Sequence, residues 1–190
     1  MATSKWELDP VHSSVAFSVR HLVVSKTKGH FNKWTVDLDL DPSNLAATKV
    51  TARIDASSID TKEPQRDAHL RSADFLDADK FPFLEFKSKR VEVLKADELR
   101  ITGDLTIRGT TREVVLDTEY GGTVKDPWGN TKVGFAAKLK IDRKEFGLVW
   151  NQALETGGLL VGDTVEITIE HEAKLLQPEI PVATSAQANA

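Results

Sequence analysis

The chain has 190 residues, a hydrophobic fraction of 40% and a net charge of −4. This length and composition are typical of one globular domain whose core is stable without crosslinks. The acidic balance excludes a protein that binds nucleic acid through a basic surface, because that binding depends on the displacement of phosphate counterions. The lack of cysteine excludes disulfides, thiolate catalysis and cysteine-ligated zinc.

The N-terminal residues 1–7 contain no apolar run behind a basic start, so we find no secretory signal. No stretch approaches the roughly 20 apolar residues that a membrane-spanning helix requires. We therefore expect a soluble, cytoplasmic protein without stable insertion into a membrane.

Apolar residues recur at every second position along most of the chain. The alternating segments are 15–21, 34–40, 50–56, 84–88, 99–107, 114–116, 133–141 and 165–173. Such alternation is typical of antiparallel strands with one buried face, whereas parallel α/β sheets show continuous apolar runs between helices. The pattern predicts an all-β fold in which eight antiparallel strands form a barrel or a sandwich.

Two segments interrupt the alternation. Residues 63–78 carry Leu70 and Phe75 among charges and predict one or two short helices, while residues 144–160 are mixed. We expect the domain to cover residues 1–176. The remainder, 177–190, is rich in Pro, Ala, Gln and Ser and predicts a disordered tail.

An eight-stranded barrel either fills its interior with side chains or holds one slender ligand. Small residues occupy several inward positions here, namely Ala52, Ala56, Gly103, Ala137 and Ala173. They leave volume for an apolar ligand, although they also fit the taper of a packed barrel. Strand parity predicts as lining residues Phe17, Val19, His21, Ile54, Phe86, Ile101, Leu105, Phe135, Leu139 and Ile167. On this hypothesis Ala137→Phe or Gly103→Leu blocks binding and leaves the fold intact.

A set of short motifs in a fixed order resembles the YceI-like family. The matching segments are 6–13 (WELDPVHS), 17–21 (FSVRH), 29–31 (GHF), 59–61 (IDT), 66–75 (RDAHLRSADF), 81–86 (FPFLEF), 103–112 (GDLTIRGTTR) and 142–147 (DRKEFG). The resemblance extends from about Trp6 to Leu175. It implies a lipocalin-like barrel that binds polyisoprenoids or isoprenoid quinones, as a carrier, storage or sequestration protein without a resident cofactor.

The polar motifs favour structural roles over catalysis. His12 and Ser13 are adjacent in an extended segment, so they point to opposite faces. The histidines lack tight ligand spacing, which argues against a metal site. On the helix containing residues 66–71, Asp67 and Arg71 have the spacing of an ion pair. We expect this helix to close one end of the barrel, and we expect an ion pair between Asp142 and Arg143 to fix a turn.

Two alternatives stay open at this level. An isomerase or hydrolase acting on a lipid would require a polar cluster in the barrel, and the inward faces offer only His21 and His171. An interaction module with a packed barrel would contain no cavity. We predict no enzymatic activity and no catalytic residues, a long-chain isoprenoid lipid as partner and no nucleic acid. Oligomeric state, including a homodimer, is left open.

Overall fold

The computed structural model describes residues 4–22, 24–155 and 158–176. The strands are β1 Ser4–Leu8, β2 Ser14–His21, β3 Ser25–Phe31, β4 Trp34–Leu40, β5 Lys49–Asp55, β6 Ile59–Asp60, β7 Phe83–Val93, β8 Glu98–Ile107, β9 Thr110–Lys125, β10 Thr131–Asp142 and β11 Val161–Leu175. The α-helix is α1 Pro64–Arg71, and 3₁₀ helices span Leu45–Ala47, Ala56–Ser58 and Arg143–Phe146. The predicted tail at 177–190 lies outside the described residues.

Hydrogen bonding closes the sheet into a ring. Neighbouring strands pair in the order β1-β4-β5-β7-β8-β9-β10-β11, and β11 then pairs with β1. The recorded strand pairs are antiparallel, and the predicted eight-stranded barrel is confirmed. β2, β3 and β6 continue the sheet from β11, and their inward side chains extend the barrel wall.

The prediction was wrong about which strands make the ring. The segment 15–21 is β2, which lies beside the ring, whereas β1 belongs to it and was not predicted. β1 has Trp6 as its only buried side chain, and the sequence of β3 is polar up to Phe31. Strands with so little apolar alternation carry almost no periodic pattern, since alternation depends on one buried face.

Two groups of buried side chains divide the barrel along its axis. The smaller group, which we call the closed-end cluster, fills one end and consists of Trp6, Leu38, Leu40, Val133 and Ala173. The indole Nε1 of Trp6 donates a hydrogen bond to the carbonyl oxygen of Leu40 at 3.3 Å. The larger group surrounds the rest of the interior. The closed-end cluster therefore fills one end of the barrel with side chains.

Helix α1 lies at the other end, which we call the mouth. Its N-terminus is capped by Glu63, whose carboxylate accepts hydrogen bonds from the backbone N–H groups of Gln65 and Arg66. The predicted pair of Asp67 with Arg71 is wrong. Asp67 is buried and accepts from the N–H and hydroxyl of Thr61 at 2.9 and 2.5 Å, because a buried carboxylate requires nearby donors.

Candidate functional site

The barrel contains a cavity of about 620 Å³. Its lining is mostly aliphatic and aromatic, and its volume is that of a typical small-molecule site. All ten side chains predicted from strand parity line it, namely Phe17, Val19, His21, Ile54, Phe86, Ile101, Leu105, Phe135, Leu139 and Ile167. That these residues contact a ligand remains a prediction.

Strand register places these side chains in rows across the wall. Leu139 of β10 is opposite Ile167 of β11, and Ile167 is opposite Phe17 of β2. Across the barrel, Phe86 of β7 is opposite Leu105 of β8. Because side chains alternate along a strand, a register fixed at one pair orients the whole inward face. The result is a continuous apolar surface.

The small inward residues do not all make room for a ligand. Ala52 and Ala137 line the cavity, but Ala173 belongs to the closed-end cluster. A Cβ at Gly103 would lie 2.5 Å from the carbonyl oxygen of Lys87 and 2.6 Å from the Phe86 ring. Gly103 therefore permits close approach of two strands. The expectation that Gly103→Leu spares the fold is wrong, because leucine would force β7 and β8 apart.

The mouth is bordered by α1 and by the segment between β10 and β11. Gln65 and Arg66 line the cavity and are exposed to solvent, so the cavity reaches the surface here. His69 packs edge-on against Trp150 and Phe75, with ring centroids 4.7 and 5.0 Å apart. This aromatic group forms one side of the opening. α1 lies at an end of the barrel, as expected, but it borders an opening there and does not close that end.

Arg143 holds the segment that follows the 3₁₀ helix against the barrel. Its guanidinium donates to the carbonyl oxygens of Leu148, of Trp150 at 2.9 Å and of Gly162 at 2.9 Å. The side chain is 3% exposed, and the carboxylate of Asp163 lies 3.6 Å away. The expected ion pair with Asp142 is wrong. Asp142 instead caps the 3₁₀ helix by accepting from the N–H of Lys144, so Arg143 is free to reach across the loop.

Two histidines lie at opposite ends of the cavity. His21 ends β2 at the mouth, opposite Val161. His171 is opposite Phe135, which also packs against the closed-end cluster. Burial lowers the pKa of His171 below its ordinary value of 6.5, because a low-dielectric site disfavours the charged form. The imidazole of His171 is therefore neutral at physiological pH.

A polar network lies near the closed end, outside the cavity. The side chains of Asp9, His12 and Glu172 lie close enough together to offer three ligand atoms to a metal ion. The ammonium group of Lys132 lies 3.0 Å from Asp9 and 2.6 Å from Glu172. His12 Nδ1 lies 3.0 Å from Asp9. Lys132 already supplies the positive charge, and the network is an ion-pair cluster on the outer face of the barrel near its closed end.

Sequence reasoning missed several lining residues at the mouth. Arg66, His69 and Leu70 come from α1, and Leu148 and Trp150 come from the irregular segment before β11. Neither region has period two, so strand parity contains no information about them. The aromatic content of 69–75 and the tryptophan at 150 were the available indications.

Comparisons with known proteins agree with this architecture. A family model for the YceI-like domain matches residues 6–173. A UPF0312 protein of Staphylococcus epidermidis is 40% identical over 170 residues, which cover 89% of this chain and 96% of that protein. The solved YCEI protein of Campylobacter jejuni is 33% identical with a TM-score of 0.72, covering 83% of this chain and 90% of that one.

A more distant neighbour extends the comparison of the fold. A polyisoprenoid binding domain from Saccharophagus degradans superimposes with a TM-score of 0.63 at 12% identity, over 92% of this chain and 99% of that domain. In the part of the chain that the structure describes, no helix has the length and apolar character to cross a membrane. The closed barrel, its apolar cavity and the match across residues 6–173 together show that the chain belongs to the YceI-like family.

Proposed function

We propose that the chain binds a polyisoprenoid or isoprenoid quinone lipid inside its barrel and serves as a carrier, store or sequestering protein. The observation that carries this proposal is the apolar cavity of about 620 Å³, closed at one end and open at α1. A slender apolar molecule with free access from one side fits such a shape. The ten predicted lining residues are its proposed contacts.

The energetics favour an occupied cavity. An apolar cavity without a ligand is unfavourable, because its lining side chains lack packing contacts on one side. Water in an apolar space finds few hydrogen-bond partners. Each prenyl unit offers five carbons, and at about 0.8 kcal/mol per buried CH₂ contributes up to roughly 4 kcal/mol. A few units reach the roughly 8 kcal/mol of micromolar affinity even after ordering costs.

The choice of a prenyl lipid is supported by the Saccharophagus domain, which is described as polyisoprenoid-binding and has the same barrel. Carrying its ligand class over to this chain is part of the proposal. The cavity volume argues against a packed barrel that serves only for protein interaction. The cytoplasmic location and the lack of enzymatic activity stay predictions.

Lipid extraction from the purified protein, followed by mass spectrometry, tests the proposal. We expect an isoprenoid to co-purify with the wild-type chain and to be lost from Ala137→Phe, since Ala137 lines the cavity. Ala136 on the same strand is absent from the lining, so Ala136→Phe is the matched control and should retain lipid. If Ala137→Phe does not fold, Ala52→Leu replaces it.

Circular dichroism verifies that each variant keeps its β-rich structure. Isoprenoid in the wild type and Ala136→Phe but not in the cavity variants supports the proposal. Wild-type protein that never yields an isoprenoid and never takes one up from added lipid contradicts it, and so does equal uptake by Ala136→Phe and Ala137→Phe.

A further inference from the structure

The polar groups of the cavity differ between its two ends. At the mouth, the charged side chains already have protein partners. Arg66 donates to the hydroxyl and carbonyl oxygens of Thr61 at 2.7 and 2.9 Å, and His69 Nε2 lies 2.8 Å from the carboxylate of Asp74. Arg143 is bound to backbone carbonyls. Arg66, His69 and Arg143 therefore have few free donors for a polar ligand group, whereas His21, which also lines the mouth, is partly exposed and can bind water.

Near the closed end the situation is reversed. His171 and Thr48 both line the cavity. The Nε2 atom of His171 and the hydroxyl of Thr48 are buried and have no hydrogen-bond partner among the described residues. Thr48 immediately follows the 3₁₀ helix that packs near Leu40 and the closed-end cluster. A neutral imidazole has one N–H donor and one acceptor. An unpaired buried polar group is unfavourable, so this end of the cavity lacks a polar partner.

We propose that the bound lipid enters with an oxygen-bearing end group first, and that this hydroxyl or carbonyl oxygen forms a hydrogen bond with His171 at the closed end. The inference rests on the proposed function and names its ligand class: an isoprenoid alcohol or quinone in preference to a pure hydrocarbon. A charged phosphate end is disfavoured, because the surrounding side chains are apolar and an unpaired buried charge is costly.

The length of the cavity agrees with this orientation. Along β11, the cavity lining extends from Val161 at the mouth to His171. Ten residues of strand span about 33 Å along the strand, or roughly 25 Å along the barrel axis at the usual tilt of about 35–45°, so a prenyl tail of several units extends from His171 along the wall toward Trp150. The tail then passes the apolar rows on β10, β11 and β2, and its far end lies at the aromatic group of the mouth.

The test compares two probes, geranylgeraniol and the hydrocarbon of the same carbon skeleton. Affinities are measured for the delipidated wild type and for His171→Phe, which keeps an aromatic ring and removes both nitrogens. We expect His171→Phe to weaken geranylgeraniol binding about tenfold, the factor that corresponds to one hydrogen bond of about 1.4 kcal/mol. Binding of the hydrocarbon should change by less than about twofold.

The comparison variant is His21→Phe, which alters the cavity histidine at the mouth. Because His21 is itself a proposed contact, both affinities should change together, and the ratio of alcohol to hydrocarbon affinity should stay that of the wild type. His171→Gln keeps a donor and an acceptor and should recover part of the alcohol affinity, which a purely steric role would not produce. In the wild type, the imidazole ¹⁵N resonances of His171 should shift with geranylgeraniol and not with the hydrocarbon.

The outcomes separate this inference from the proposed function. If both probes bind and His171→Phe weakens them equally, or weakens neither, the deep hydrogen bond is refuted and lipid binding stands. If the selective loss of alcohol affinity occurs in His21→Phe instead, the end group lies at the mouth and the orientation is wrong. If neither probe binds to the wild type, both the deep hydrogen bond and the proposed function are refuted.

Discussion

Arg143 provides a quantitative test of how the mouth is built. Its side chain is 3% exposed and donates to carbonyl oxygens on both sides of the segment between β10 and β11. Arg143→Met keeps the length of the side chain and removes all of its donors. The carbonyl oxygens of Leu148, Trp150 and Gly162 then lose a shared buried donor, while the hydrogen bonds between Asn151 and Val161 remain.

The expected cost follows from the burial of this network. Removing one partner from a buried charged network typically destabilises a protein by about 3–5 kcal/mol. For a domain of this size, 1 kcal/mol corresponds to roughly 2–4 °C in Tm, so Arg143→Met should lower Tm by about 10 °C. Arg108 is the control, because it is only half-buried and its hydrogen bonds to the carbonyl oxygens of Gly147 and Ala73 are exposed to solvent.

Thermal unfolding followed by circular dichroism measures both variants. We expect Arg108→Met to lower Tm by only about 3 °C, since hydrogen bonds at exposed sites contribute about 1 kcal/mol. Equal losses in the two variants, or a loss of less than about 3 °C in Arg143→Met, would show that Arg143 does not hold the segment in place.

Two further predictions concern the barrel wall and the closed end. In urea unfolding, Gly103→Ala should lower the free energy of unfolding by about 2 kcal/mol, because the added Cβ meets the neighbouring strand. Gly134→Ala, with open space around the added Cβ, should leave the free energy of unfolding unchanged or raise it by up to about 1 kcal/mol. If Gly134→Ala destabilised the chain more than Gly103→Ala, the close packing assigned to Gly103 would be wrong. His12 and then Lys132 hold the pKa of Asp9 well below its ordinary 3.8, so its stabilising effect is complete above pH 3.8 and is lost as the pH falls toward the lowered pKa. In an NMR titration Lys132→Met should raise the pKa of Asp9, and an unchanged value would refute the assigned partnership.

The sequence predicted the wall of the cavity better than its ends. The inward faces of β8, β10 and β11 contain unbroken alternation, and every side chain that parity assigned to the lining from these strands is there, as with Ile101, Leu139 and Ile167. Period two is a local property of a half-buried strand, so it can be read without knowing the partner strands. Ring membership depends on long-range pairing, and for that reason β1 was missed.

The mouth and the closed end depend on contacts between distant segments. The partners of Arg143 are carbonyl groups of a loop without periodic pattern, and Asp67 pairs backward with Thr61 instead of along its helix. Gly103 is a further example of a contact that local sequence pattern does not predict. Its position on an inward face was correctly predicted, but the 2.5 Å approach of the Lys87 carbonyl is a property of two strands together.

The central claim is that the apolar cavity holds a prenyl chain, and intermolecular NOEs test it most directly. The measurement uses ¹³C-methyl-labelled protein and geranylgeraniol at saturating concentration. We expect NOEs from the prenyl methyl groups to the methyl groups of Ile54, Leu105 and Ile167, which line the cavity, and none to Val115, which is exposed on the barrel surface. NOEs to Val115 without any to the three cavity residues would contradict the claim.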